Sequence, residues 1–398
     1  MVSTLVYSQS TLLFCSRCWN PFCQTSLERI KMTFLIVISA IYFIFCLLVT
    51  LANLSWRREK SDNQPSISVI VAMRNESENI ERCLRHICTQ DYPNYEVILI
   101  DDHSEDDSYQ LAQKMQNKYP QLQIFRSKRY DNIIGKKAAL TTGIENATGE
   151  WLVFTDADCF PPPTWLQTIA SYTDKANFLL GISPHIVGRN FFLRLREIER
   201  TAIDAITAGF MRINIGLTGV ARNMAYTKEL FLKIDGYDGI GHYLSGDDAL
   251  MINKATRSGK ARFRFVFDKT AQVPTLAPDD LSTMWHQERR RVSLFDAYPW
   301  WLFLIVSPIV VFYFVIAVVV VLAIIGTISW KLFFGLLIIK LVSDCLLLIS
   351  FWHKSKQMHL LPYLLAAEIV HLPYMIIFSI LGLFPKVNWK GRADKLKN

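Results

Sequence analysis

Charge is absent, or nearly so, from four long stretches of this 398-residue chain. Thr33–Leu54 and Trp301–Ile325 carry none; Leu332–Trp352 carries Lys340 and Asp344; Leu360–Phe384 carries Glu368, with His371 beside it. A helix of about 20 apolar residues crosses a hydrocarbon core of about 30 Å, so each stretch is long enough to span a bilayer. For the last two, a buried helical hairpin is the alternative. Cysteine is too sparse for a disulfide framework: Cys83, Cys88 and Cys159 are the thiols of the polar central region, as expected in a reducing compartment. Cys15, Cys18 and Cys23 precede the first stretch, and no second pair follows at a zinc-site spacing. Internal repeats and low-complexity tracts are also missing.

The 51% hydrophobic content is thus segregated rather than spread. Residues 1–32 read as a poorly ordered extension, 33–55 as a transmembrane helix, 56–299 as one water-soluble domain, 300–385 as three membrane segments and 386–398 as a basic tail. Arg57, Arg58 and Lys60 follow the first span directly, which fits a cytoplasmic stop rather than a cleaved signal and puts the central domain on the cytoplasmic side. Three further spans would carry the tail across, yet Lys386, Lys390, Arg392, Lys395 and Lys397 favour the inside. A re-entrant or interfacial segment resolves the conflict; Pro308, and Glu368, His371 and Pro373, mark the candidates. The net charge of +8 suits an anionic membrane surface. It does not suit nucleic acid, because the basic residues cluster beside the spans rather than among exposed aromatics.

In the central region, apolar β-branched runs alternate with helical patterns. Ser66–Ala72, Tyr95–Ile100, Gln123–Ser127 and Trp151–Thr155 read as strands; residues 77–86, Asp107–Lys118 and Lys136–Ala147 read as helices, with Ser77 as the first N-cap. This alternation predicts an α/β fold with a mostly parallel sheet, whose ligands sit beyond the carboxyl ends of the strands. Those ends carry Arg74-Asn75-Glu76, Asp101-Asp102 and Asp156 with Asp158. Asp156 and Asp158 are two apart, so on extended chain both face one ligand. Two close carboxylates repel, and Mg2+ or Mn2+ shared with a substrate phosphate relieves the repulsion. The alternative is an acidic turn. Phe191–Gly209 reads as a helix, Gly236–Asp248 as a functional loop, and Ser282–Phe295 as a basic amphipathic segment at the membrane surface.

The runs Val71-Ala-Met-Arg-Asn-Glu76, Ile100-Asp-Asp-His-Ser-Glu-Asp-Asp-Ser108, Gly135-Lys-Lys-Ala-Ala-Leu140, Thr155-Asp-Ala-Asp158, Gly219-Val-Ala-Arg-Asn-Met-Ala-Tyr226, Gly246-Asp-Asp-Ala-Leu250 and Gln287-Glu-Arg-Arg-Arg291 stand in this order over residues 60–300. Together they resemble a membrane-bound family 2 glycosyltransferase with a GT-A domain, the bacterial type with flanking transmembrane helices. The resemblance implies a nucleotide-sugar donor, UDP-linked, with Asp102 on the base, Glu76 lining the nucleotide pocket, Lys136 near a phosphate, Asp156 facing the ribose and contributing to the metal site, and Asp158 as metal ligand. It implies a catalytic base in the pair Asp247-Asp248, with Asp248 favoured, and diphosphate contacts from Gln287 and Arg290. Each has a plainer alternative: helix capping for Asp102 and the Asp247-Asp248 pair, a helix-dipole acid for Glu76, a solvated side chain for Lys136, a membrane-anchoring helix for the Gln287 run. Arg291 stands where the family has Trp, and Asp247 where Glu is more usual.

The resulting expectation is an inverting transferase of the bacterial inner membrane that moves a sugar to a lipid or lipid-linked glycan. A processive polysaccharide synthase and a non-catalytic nucleotide-sugar-binding membrane protein are the alternatives.

Overall fold

The computed structural model describes residues 21–57, 61–188, 190–277, 294–381, 388–389 and 392–393. Strands β1 (Ile67–Met73), β2 (Tyr95–Asp101), β3 (Leu122–Arg126), β4 (Trp151–Asp156), β5 (Phe178–Gly181), β7 (Met224–Thr227) and β8 (Phe263–Val266) form one sheet in the order β3-β2-β1-β4-β7-β5-β8. The first four are parallel; β7 runs antiparallel to both β4 and β5, and β5 and β8 are again parallel. Two short strands, β6 (His185–Ile186) and β9 (Thr275–Leu276), pair beside it. Ala72 is in register with both Ile100 and Asp156, so β1, β2 and β4 end level and their loops share one edge.

Each face of the sheet has its own core because the strands are apolar on both sides, as parallel strands require. Helices α2 (Ile80–Ile87), α3 (Ser108–Gln116) and α5 (Trp165–Ala170) cover one face with Ile80, Leu84, Met115, Trp165 and Leu166. Helices α4 (Lys136–Asn146), α6 (Phe191–Met211) and α8 (Ala249–Ser258) cover the other; α7 (Lys228–Lys233) follows β7. Gly135 opens α4 at φ 60°, a backbone that favours glycine. Ser77 does not cap α2. The helix starts at Ile80 behind Asn79, and the Ser77 N–H donates to Asp106 Oδ2 at 3.1 Å. The side chains of the neighbouring loop satisfy this turn, so it needs no local cap.

Among the described residues three helices are long and apolar enough to cross a membrane: α1 (Pro21–Ser55) over Arg29–Ser55, α9 (Trp300–Ile324) and α10 (Trp330–Ser355). The first begins at Pro21, inside the stretch expected to be a poorly ordered extension. A 3-10 segment, Met358–Tyr363, leads into α11 (Leu364–Leu381), and Asn388–Trp389 pairs antiparallel with Arg392–Ala393.

The sheet domain is joined to these helices through α6. A Cβ at Gly209 would lie 2.6 Å from Val49 Cγ1, so only glycine allows α6 this close to α1. Four side chains then lock the seam. Asn53 Nδ2 donates to Ala205 O at 2.9 Å, Trp56 Nε1 to Ala208 O at 3.0 Å, Trp352 Nε1 to Thr201 Oγ1 at 2.9 Å, and Lys354 Nζ to Asn53 O at 2.7 Å.

Candidate functional site

Asp156 is the last residue of β4, and Lys136 is the first of α4. Lys136 Nζ lies 2.6 Å from Asp156 Oδ1 and 2.9 Å from Asp247 Oδ2. One ammonium therefore joins the strand edge to the loop that precedes α8. Burial opposes the charge on Lys136, but the two carboxylates outweigh it and hold its pKa above the ordinary lysine value. The second lysine of the pair faces elsewhere. Lys137 is buried, and its Nζ donates to Tyr243 O at 2.7 Å and Ser245 O at 2.6 Å. It fixes the backbone just before Asp247. Burial pulls its pKa down to about 8, against the opposing pull of Asp247 and Asp248.

Asp248 is the N-cap of α8. Ala249 N–H donates to its Oδ1 at 2.7 Å, and Ala221 N–H to its Oδ2 at 3.3 Å. The capping role expected as an alternative is real, and it is compatible with more, because each oxygen keeps lone-pair capacity. Ala221 opens the 3-10 turn Ala221–Asn223, so this contact also ties the loop to the entry of β7.

At the end of β2, Asp102 is buried one residue beyond the strand; its N–H donates to Met73 O at 2.8 Å and its carbonyl accepts from Arg74 Nη1 at 3.0 Å. It does not cap α3, whose N-cap position is Asp107. Asp106 does the capping instead: its Oδ1 accepts Ser108 N–H at 3.0 Å, and with the Ser77 bond this holds its carboxyl down at about 2 despite partial desolvation. Glu76 lies beside this loop, its N–H bound to the Ser108 side chain at 2.7 Å and its Oε2 to Asn79 Nδ2 at 3.2 Å.

Asp156, Lys136, Asp247 and Asp248 are thus brought together, with Asp158 two residues beyond the strand end and Asp102 and Glu76 along the same edge. Gln287 and Arg290, with Arg289 and Arg291, lie outside the described residues. Among the described residues no group of three acidic, histidine or cysteine side chains is arranged to hold a metal. The donor chemistry still fits a hard cation completed by substrate phosphate, since such ions use one or two protein carboxylates. Asp158 is half-buried, and its recorded hydrogen bond among the described residues is a weak one from the Cys159 thiol, 3.4 Å from Oδ1. Asp156 is taken up by Lys136, while Asp158 forms no ion pair among the described residues. Sequence reasoning missed Lys137 and Arg222. The doubled lysine after Gly135 signalled the first; Arg222 sat in a motif with no role given to it.

Residues 68–234 match the family model described as Glycosyl transferase family 2. A glycosyltransferase of Haloferax volcanii, AglE, is 32% identical over 203 residues, 49% of this chain and 62% of that protein. The cholesterol galactosyltransferase of Borreliella burgdorferi is 32% identical over 181 residues, 42% of this chain and 49% of that protein. The chain therefore spans less than two thirds of the length of either relative. The solved mannosyltransferase PcManGT of Pyrobaculum calidifontis, in complex with GDP-Man and Mn2+, superposes with a TM-score of 0.56 at 19% identity, covering 88% of this chain and 98% of that one. That likeness gives the GT-A fold. Over residues 68–234, set on this fold, the chain is similar to glycosyl transferase family 2.

Proposed function

We propose that this protein is a membrane-bound inverting glycosyltransferase that moves a sugar from a nucleotide-sugar donor to a lipid or lipid-linked glycan. The observation that carries the reading is the Lys136 bridge, at 2.6 Å to Asp156 and 2.9 Å to Asp247. It joins the end of β4 to the loop before α8, which supports reading the first as the diphosphate edge and the second as the acceptor-activating loop. Asp102 and Glu76 line the nucleotide, Asp156 the ribose, and Lys136, with Gln287 and Arg290, the diphosphate. Asp158, with Asp156 close by, would hold Mg2+ or Mn2+; when bound, the ion offsets charge growing on the departing diphosphate. Asp248 takes the proton of the acceptor hydroxyl as its oxygen attacks the anomeric carbon, and a single displacement inverts that centre. Asp247, neutralised by Lys136, is the poorer base.

The acceptor class draws support from the relatives' names, which include a cholesterol galactosyltransferase and a β-monoglucosyldiacylglycerol synthase. The apolar helices and the basic residues after the first span support an inner-membrane protein with its sheet domain on the cytoplasmic side. A donor panel tests the reading: protein in membranes, UDP- and GDP-linked sugars, and release of the nucleoside diphosphate measured with Mn2+ and with a chelator. Release with a donor and Mn2+, lost with chelator and in Asp158→Asn, is expected. Turnover retained by Asp158→Asn would remove its metal role.

A further inference from the structure

Arg222 takes no part in the reading above, and its place in the fold gives it one. The strand β7 runs antiparallel to β4 with Met224 opposite Phe154, so the chain entering β7 lies beside the chain leaving β4. The 3-10 turn Ala221–Asn223 therefore stands level with the end of β4 at Asp156. The turn is held on both sides. Ala221 N–H reaches Asp248 Oδ2 at 3.3 Å. Buried Asn223 donates from Nδ2 to Ile182 O at 2.8 Å and Ala271 O at 2.7 Å, and accepts from Trp165 Nε1 at 3.0 Å.

Arg222 itself is half-buried, and its Nε lies 3.2 Å from Ser183 Oγ, which donates to Val273 O at 2.8 Å. That contact occupies the inner side of the guanidinium. Among the described residues no further hydrogen bond or ion pair to Arg222 is recorded, so its outer N–H groups remain for a ligand. Its charge acts on the Cys159 thiol, next to Asp158, and on the His185 ring. A rigid, partly desolvated fork of this kind suits the paired oxygens of a phosphate.

The surroundings say from which side that phosphate comes. Arg200 and Arg222 lie close enough to His185, and Arg194 and Lys269 to His359, for their charges to act on the rings; Glu197, 2.8 Å from His185 Nδ1, opposes them. His359 lies in the 3-10 segment that follows α10, and the Phe191 ring at the start of α6 packs 6.0 Å from that of Tyr363. These cationic side chains thus gather about His185 and His359, between the turn at Arg222 and the 3-10 segment that follows α10.

We propose that Arg222 binds the phosphate or diphosphate headgroup of a lipid-linked glycan acceptor, which enters past these cationic side chains. The proposal rests on Asp248 as the base, since the fixed turn then sets the headgroup beside it. The transfer is unchanged in its balance: a hydroxyl oxygen of the glycan carried on that headgroup bonds to the anomeric carbon and gives its proton to Asp248, and the bond to the donor phosphate breaks with its electron pair leaving on the nucleoside diphosphate. The same guanidinium chemistry could serve the donor diphosphate, and the test separates the two sources.

The full-length protein in phosphatidylcholine nanodiscs is titrated with a labelled short isoprenyl phosphate, with the matching isoprenol, and with UDP and GDP plus Mn2+. Arg222→Gln should weaken the isoprenyl phosphate about tenfold or more, because a charge-assisted contact is lost, and leave isoprenol and nucleotide binding within about twofold. Arg222→Lys, which keeps the charge and loses the fork, should fall between. Weakened UDP and GDP binding with unchanged lipid binding would assign Arg222 to the donor and overturn the proposal, as would equal binding of phosphate and alcohol by the unmodified protein. If that protein turns over no donor yet shows the phosphate preference, the catalytic reading fails while the binding assignment stands.

Discussion

Two lysines of this chain each bridge two carboxylates, in opposite settings. Lys136 joins Asp156 and Asp247 at the open edge of the sheet, with its side chain 22% exposed. Lys340 joins Asp344 and Glu368 between the apolar helices α10 and α11, 2% exposed, and Tyr42 of α1 adds a hydrogen bond to Asp344. Around it Tyr42 stacks on Phe312 of α9 at 4.2 Å, and Tyr313 bonds His371. The local pattern is the same; the medium decides what it can do. At the sheet edge, substrate and solvent can replace either partner, so the ion pair can exchange. In the apolar layer nothing replaces them, so the cluster clamps four helices and its charges cannot part cheaply.

That contrast can be broken in several places. Asp248→Asn should lower kcat by about 10²–10⁴-fold with nucleotide binding and melting temperature unchanged, measured by diphosphate release and nucleotide titration. If transfer and nucleotide binding vanish together, Asp248 is not simply the base. Lys136→Met should cost about 10–10²-fold in turnover, again with little loss of stability. Lys340→Ala should do the reverse: it strands buried carboxylates and should cost about 3–5 kcal/mol of stability, while the folded fraction keeps its specific activity. Replacing Lys340, Asp344 and Glu368 together by Met, Leu and Leu should recover that loss, as judged by melting in nanodiscs. A triple variant no better than Lys340→Ala would show that the cluster does more than clamp.

Gly209→Val is a smaller test of the seam between the two regions. It forces α6 off Val49 and should cost about 1–3 kcal/mol, seen as a lower melting temperature. The smallest effect concerns Lys137. Its folded pKa of about 8 lies below the ordinary 10.5, so the unfolded chain binds more protons across that window. The stability contributed by this group therefore rises with pH from about 8 to 10.5 and is least below about 8. The melting temperature of the unmodified protein should rise over that window relative to Lys137→Met.

Much of the parallel half was legible because strand and helix periods are local properties. The run from Trp151 to Asp156 names a buried strand ending in acid, and Gly135 before Lys136 names a helix start. The errors came where partners are distant. Ser77 looked like a cap, but Asp106 satisfies it from across the neighbouring loop. Lys137 looked like any lysine until the fold set Tyr243 O and Ser245 O over it. The role of the Gln287–Arg290 run falls outside the described residues and stays a proposal.

The sequence by itself determined which segments are apolar, which are strands and helices, and which strand ends carry acid, because burial pattern and period are written in consecutive residues. The tertiary structure alone decided that β7 returns antiparallel beside β4, that Lys136 joins Asp156 to Asp247, and that the Ala221 N–H reaches Asp248. Those pairings close long loops of chain, and their geometry follows from packing two faces of one sheet against α4, α6 and the membrane helices.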